Sequence, residues 1–285
     1  MTAFKTTSPP AAKATGATLF WRTMWARAYP RIVGSLIRER SWLFFETVLP
    51  LAATVSYVFV YQAVGAPEEY VGFVVLGGAM TAFWLNILWA MASQLYWDKE
   101  GGNLEIYVLS PGPLMAILLG MAVGGFVMTV TRAAIILIVC SLAFSVTYTI
   151  SSVPLLIAIF VLTMIALYGM GMMFAAVFLA SGREAWHLAN LLQEPIYLAS
   201  GFYFPVRALG FWVAAASSLI PLTLGMDGMR QLLFAGDATL GFLSVEVEAI
   251  ILLILSVFFL AAARFMLTKL EEIGRREGRL IERRR

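Results

Sequence analysis

The chain has 285 residues, of which 61% are hydrophobic and only 13% charged, and its mean hydropathy is +0.85. That composition excludes an ordinary water-soluble domain and places the chain in a membrane. The net charge of +3 reflects where the basic residues sit relative to the bilayer and gives no reason to expect a nucleic-acid partner.

Residues 1–18, rich in Ser, Thr, Ala and Pro, lack the apolar core of a signal peptide and read as a disordered tail. Residues 19–42 carry too many arginines to span, but their Trp and aliphatic residues follow a helical period. Trp21, Trp25, Ile32 and Leu36 fall on one stripe, and Arg27, Arg31 and Arg38 cluster on another side. This predicts an interfacial amphipathic helix with its arginines facing anionic lipid, serving as an anchor or in gating, with a kink at Pro30.

Six apolar runs follow, each near the roughly 20 residues that a crossing helix needs. They cover residues 47–64, 71–95, a stretch within 114–144, 153–180, 188–204 and 249–265. The acidic GAPEEY between the first two has room only for a turn. Residues 205–248 are too broken by Pro, Gly and charge to form one span, and are expected to form re-entrant or interfacial helices packed against protein. The expected fold is therefore an all-α integral membrane protein of six transmembrane helices, over residues 43–268, with a basic tail over 269–285.

Lys and Arg are retained on the cytoplasmic side of membranes. With the N-terminus inside, seventeen of the twenty basic residues become cytoplasmic: seven in 1–40, Lys99, Arg183 and eight from Arg264 onward. Both termini are thus expected inside, with Arg207 and Arg230 in the outer segment and Arg132 within a span.

Gly120, Gly124 and Gly125 give the third span a G-x-x-x-G face, and Gly169 and Gly171 mark the fourth. Such faces let helix backbones approach closely, either within one subunit or at a dimer seam.

Catalytic signatures are missing from the sequence. His187 is a lone histidine, Cys140 a lone cysteine suited to apolar filling, and no H-E-x-x-H, G-x-S-x-G or P-loop motif occurs. A bound cofactor is not expected, and energy for any work must come from outside the chain. Ionisable groups at membrane depth default to functional readings. Arg132 and Glu194 lie about 15–20 Å deep by helix rise. They either pair, or Arg132 snorkels to headgroups, or Glu194 faces a water-filled cavity. Pro195 is expected to bend the fifth span.

The connection YWDKEGGNLEIYVLSP, residues 96–111, is the main polar interruption. Asp98, Lys99 and Glu100 are expected to end the second span in water, and Gly101-Gly102 to turn the chain. Asn103 then caps a short helix with Glu105 in its first turn, and Ser110-Pro111 stops it. Leu104, Tyr107 and Val108 share one face by i, i+3, i+4 spacing. A plain connector needs far fewer residues, so a docking surface for a partner is expected, with Glu100 and Glu105 outward and Leu104 and Val108 against the spans.

Glu100, then Gly102-Asn103-Leu104-Glu105, then Ser110-Pro111 resembles the acidic residue, Gly-Thr-Leu-Glu-like run and Ser-Pro that join the second and third spans of ABC-2 permease subunits. Residues 200–236 are similar to the same family's Ser-Gly-x-x-Phe-Pro run, followed here by Trp212, Pro221-Leu222-Thr223 and Arg230. Asn103 replaces the usual Thr, and Gly210-Phe211 stands where Leu-Pro is common. Span count, topology and length agree over residues 20–270.

The resemblance implies a coupling helix made of Asp98, Lys99, Glu100, Gly102, Leu104, Glu105, Tyr107, Ser110 and Pro111. It implies two copies of a separate P-loop ATPase subunit holding ATP-Mg, and a second permease copy or a paralogous permease in a cell membrane. The second and fifth spans would line a path, with Phe83, Trp84, Asn86, Gln94, Glu194 and Tyr197 as wall candidates. Phe202, Phe204, Pro205, Trp212 and Pro221 would form an outer gate. The approach to the first span looks closer to the drug and lipid exporting branch than to exporters of lipid-linked polysaccharide. An integral membrane enzyme is the remote alternative.

Overall fold

A computed structural model of the protein describes residues 16–34, 40–109, 112–234 and 241–277. Most of the expected disordered tail, Ser110, Pro111 and the end of the basic tail lie outside them. The described residues are almost entirely helical: α1 (Ala17–Val33), α2 (Arg40–Ala63), α3 (Glu69–Leu85), α4 (Gln94–Glu100), α5 (Asn103–Leu109), α6 (Leu114–Ala143), α7 (Val153–Ser181), α8 (Ala185–Ala199), α9 (Phe211–Ser217), α10 (Pro221–Leu233) and α11 (Val245–Glu277). Extended pairing among them is one bridge, Thr149 to Phe234, which straps the 144–152 loop to the end of α10.

Five helical segments are long and apolar enough to cross a membrane: Phe44–Ala63, Glu69–Glu100, Leu114–Ala143, Val153–Ser181 and Val245–Ile273. The protein is an all-α membrane protein. The expected fifth span differs. Its helix, α8, has 15 residues, about 22 Å at 1.5 Å per residue, against a hydrocarbon core of about 30 Å. Pro195 is accommodated inside α8, and the helix ends instead where Gly201 takes a φ of +68°. The last span runs further than expected, since α11 stays helical to Glu277.

The second span is the centre of the bundle. α3 continues through a π-helical segment, Asn86–Ala92, into α4, and 94% of its apolar window is buried inside the protein, against 17–44% for the other four. α2, α6, α7 and α10 pack around it, and α11 packs along α7. Its one-sided neighbours explain their own composition: the exposed faces of α2 (Phe44, Phe45, Leu49), α6 (Ile138, Leu142) and α11 (Ile250, Ile254, Val257) are apolar because lipid is their solvent.

The glycine face of α6 receives α1. A Cβ at Gly120 would overlap the Met24 carbonyl, and one at Gly124 would lie 3.1 Å from the Arg31 side chain. The close approach expected of the G-x-x-x-G face is thus made within one subunit, with the N-terminal helix as its partner. α1 buries Met24 and Ala28 and leaves Trp21, Trp25 and Tyr29 exposed. The aromatic stripe faces outward as an interfacial helix requires, and the helix runs on through Pro30 to Val33. The arginine face is corrected for Arg27 and Arg31, which point into the bundle, where they find partners on the second span; Leu36 and Arg38 lie outside the described residues.

Candidate functional site

Three polar arrangements stand out in the otherwise apolar bundle. At one end, α4 and α5 meet at Gly101-Gly102, where Gly102 adopts a φ of +79°, the left-handed region open to glycine. Asp98, expected in water, is buried instead. Its carboxylate accepts from Arg27 Nη2 at 3.4 Å and from Gln94 Nε2 at 3.1 Å. The physical reason is α1: by docking on α6 it carries Arg27 over the end of the second span. The same guanidinium stands 5.5 Å from the centre of the Tyr107 ring, and burial pushes the Tyr107 hydroxyl pKa up.

This lock fixes one side of α5 and leaves the other open. Leu104 is fully buried, whereas Glu100, Asn103, Glu105 and Ile106 are exposed, Ile106 at 65%. Glu100 and Glu105 face outward and Leu104 faces the spans, as the spacing predicts; the Val108 side chain lies outside the described set. Lys99 is half-buried. The element is also tied to the last span, because the Leu114 backbone N–H at the start of α6 donates to Glu271 Oε1 on α11.

The second arrangement lies about two turns further along the second span, eight residues before Asp98. The π-helical segment shifts backbone pairing from i−4 to i−5, as in the Ser93 N–H to Leu88 carbonyl bond at 3.2 Å. Arg31 Nη2 donates to the Ala90 carbonyl at 2.9 Å, and Ser93 Oγ donates to the Leu88 carbonyl at 2.8 Å. Burial, and next the nearby Arg27 charge, hold the Arg31 guanidinium below its ordinary pKa. Further along α6, Arg132 forms an ion pair with Glu46 on α2. The considered pairing with Glu194 is corrected: Glu194 is exposed on α8 and accepts from its neighbour Gln193. Glu46 escaped notice because the apolar run begins only at residue 47, whereas α2 starts at Arg40.

The expected path wall divides. Phe83, Trp84 and Asn86 are buried inside the single subunit, with Phe83 against Phe126 and Phe160 and Asn86 Oδ1 accepting from Tyr168. Gln94 is engaged with Asp98. Tyr197 packs edge-on against Phe202 with ring centroids 5.1 Å apart. The bond that joins the second span to α8 is one the sequence reading missed, Trp89 Nε1 to Gln193 Oε1 at 2.8 Å. Leu191, Glu194 and Leu198 share the exposed face of α8.

The third arrangement holds the turn after α8. Arg230 on α10 is buried, and its guanidinium donates to the carbonyls of Gly201 (2.7 Å), Phe202 (2.7 Å), Phe204 (3.2 Å) and Phe73 on α3 (3.1 Å). Its carbon sits 5.4 Å from the Phe73 ring centre. A planar fork with five donors suits several carbonyls at once, which an ammonium does not. The turn presses onto α3 at Gly77, where any Cβ would overlap the Phe202 carbonyl oxygen. Tyr203 stacks on Tyr57 at 3.7 Å, and its carbonyl accepts from Tyr61.

Among the gate candidates, Phe202, Pro205 and Pro221 are buried and Phe204 half-buried, while Trp212 is 83% exposed and joins no plug within the subunit. Among the described residues no group of three or more His, Cys, Asp or Glu is placed to hold a metal.

The Ser-Gly-x-x-Phe-Pro run, the Pro-Leu-Thr helix and its arginine therefore form one structural unit, and the acidic Gly-Asn-Leu-Glu run forms another at the opposite end of the bundle. No curated protein is similar enough to match the chain. The family model described as ABC-2 type transporter matches residues 19–234, which contain both units, and the chain belongs to the ABC-2 type transporter family as a membrane-embedded permease subunit.

Proposed function

We propose that this permease works in an ATP-driven exporter of a lipophilic or amphipathic substrate, with α4–α5 as the element that receives the work. The observation that carries the reading is the two-sidedness of α5. Its outward face offers Glu105 and Ile106, while Leu104 and the Asp98–Arg27–Tyr107 lock bind its other face to the second span and to α1. A rigid, exposed contact of this kind transmits displacement, where a floppy loop would absorb it.

In this reading two permeases assemble with two ATP-binding subunits in the cell membrane, with α5 and both termini cytoplasmic. The positive-inside distribution of Lys and Arg supports that orientation. Closure of the ATP-bound partners pushes α5. The motion passes through Asp98 to α1, through the π-helical segment to the second span, and through Glu271 to α11. The permease thereby biases an equilibrium between inward- and outward-facing arrangements, and the partner supplies the free energy. The exposed faces of α2 and α8, including Glu194, are the surfaces left for the second permease and the path between the copies.

The test is ATP hydrolysis by the co-purified complex in the presence of drug-like or lipid-like substrates. Glu105→Arg is expected to abolish stimulation while leaving the melting temperature of the permease unchanged. Normal stimulation in that variant overturns the assignment.

A further inference from the structure

We infer that Asp227 on α10 and Glu248 on α11 form a proton-binding site at the end of the bundle opposite α5, where Glu248 holds the proton and donates it to Asp227. The Glu248 side chain is fully buried and lies within hydrogen-bonding reach of the buried Asp227 carboxylate. Gly228 makes room for the contact, since a Cβ there would lie 2.7 Å from Glu248 Oε2. Glu271, which α11 brings beside α5, is 23 positions further on, about 35 Å by helix rise.

The donors around the two acids assign the proton. Asp227 Oδ2 accepts from the Phe242 backbone N–H at 2.7 Å and from Gln231 Nε2 at 3.2 Å, so it is held as an acceptor. The Leu243 N–H approaches the Glu248 carboxyl, yet neither Glu248 oxygen completes a hydrogen bond with a donor among the described residues. A buried acid without donors is tolerated when neutral and costly when charged. Two carboxylates in contact cannot both ionise without strong repulsion. A proton on Glu248 removes both penalties, because its O–H then has an acceptor in Asp227. The acidic pair alone would not mark a ligand; the buried, donorless Glu248 aimed at Asp227 does.

The surrounding elements bring no second cation. Arg230, one turn along α10, is the positive charge that Asp227 feels, and it balances one carboxylate but not two. Tyr61 on α2 faces Arg230, and Arg132 on α6 is paired with Glu46. α7 meets this part of α10 with Ile159 and Thr163, and the Thr163 hydroxyl is committed to the Ile159 carbonyl at 2.7 Å. The ionisable side chain of α7, Tyr168, stands nine positions beyond Ile159. Glu246, in the same first turn of α11, is exposed and sits where the helix dipole favours an ordinary carboxylate. Asp237 lies outside the described residues.

The site links the proton to the shape of this end of the bundle. Asp227 holds the entry to α11 through Phe242, and Gln231 holds it through the Leu243 carbonyl at 2.9 Å. Loss of the proton places like charges across the contact between α10 and α11, so the proton acts as a ligand of the closed contact. The inference stands apart from the exporter reading, since it needs neither a substrate nor an ATP-binding subunit.

The experiment is infrared spectroscopy of the full chain in nanodiscs at neutral pH, reading the C=O stretch of a carboxylic acid, which a carboxylate lacks. The wild-type chain should show this band, and Glu248→Gln, whose amide keeps a donor toward Asp227, should lose it. Asp227→Asn should keep the band but move it to higher frequency, because an amide oxygen is a weaker acceptor than a carboxylate. The wild-type spectrum carries the test even if a variant fails to fold: no acid band at neutral pH means that both groups are ionised, or that a metal cation holds them, and overturns the inference. A band that survives Glu248→Gln also overturns it, and so does a band that Asp227→Asn leaves unshifted, since Glu248 would then not be donating to Asp227.

Discussion

Replacing Arg230 with Met probes the unit that closes the bundle end opposite α5. The Arg230 guanidinium donates to four carbonyls, of which Gly201, Phe202 and Phe204 belong to the turn after α8 and Phe73 lies in α3. Phe73 keeps the donor of its own helix, so three carbonyls of a buried turn lose their partner. At about 1 kcal/mol for each orphaned group at the low end, the loss is about 3 kcal/mol. It is partly offset because a guanidinium no longer has to be dehydrated, which leaves a net destabilisation of about 2 kcal/mol or more.

Arg230→Lys retains the charge but not the planar fork, and should fall between wild type and Arg230→Met. The assay pairs thermal unfolding in detergent, followed by tryptophan fluorescence, with maleimide labelling of Ala208→Cys in a Cys140→Ser background. The Met variant should melt several degrees lower and label faster at residue 208, because the turn no longer holds to α3. Unchanged melting and unchanged labelling in Arg230→Met would refute the assigned role.

Other perturbations separate the remaining contacts. Glu46→Arg and Arg132→Glu should each reduce folded yield and melting temperature, since each strands like charges at membrane depth at a cost of several kcal/mol; the double variant should recover much of the loss, and failure to recover removes the Glu46–Arg132 pair from the account. Gly120→Val places methyl groups where the Met24 carbonyl lies, so α1 should leave α6 and become sensitive to protease, whereas Val127→Leu on the exposed side of α6 should change nothing. Arg31→Met removes the donor to the Ala90 carbonyl and should cost about 1–3 kcal/mol locally. Its readout is faster hydrogen exchange at residues 88–93, and unaltered exchange there would contradict a capping role for Arg31.

The spans were legible because lipid leaves so little compositional freedom: apolar runs of suitable length between turn residues or charges marked α3, α6, α7 and the start of α11 closely. Three boundaries were not, among them the end of α11, which stays helical to Glu277. α2 begins before its apolar run, with Glu46 about a turn and a half into the helix, because the pairing with Arg132 makes an acid tolerable there. α8 stops at Ala199 although residues 200–204 are apolar enough to continue, because the carbonyls of Gly201, Phe202 and Phe204 are captured by Arg230, 26 to 29 positions later in the chain.

The candidate coupling element was readable in its local chemistry. Period and turn residues placed Leu104 inward and Glu105 outward without reference to anything distant. Its anchoring was unreadable, since Asp98 meets Arg27 across 71 residues, and only the docking of α1 on the glycine face of α6 brings them together. Gly120 and Gly124 announced a close approach but not its partner, as small residues specify distance and say nothing of identity.

The most direct measurement is site-specific cross-linking from Ile106→Cys on the exposed face of α5 to the ATP-binding subunit, performed in membranes with and without ATP. Cross-links to that subunit whose yield changes with nucleotide, together with loss of substrate-stimulated hydrolysis in Glu105→Arg, are the predicted result. Transport that proceeds at full rate with no ATP-binding subunit present would contradict it.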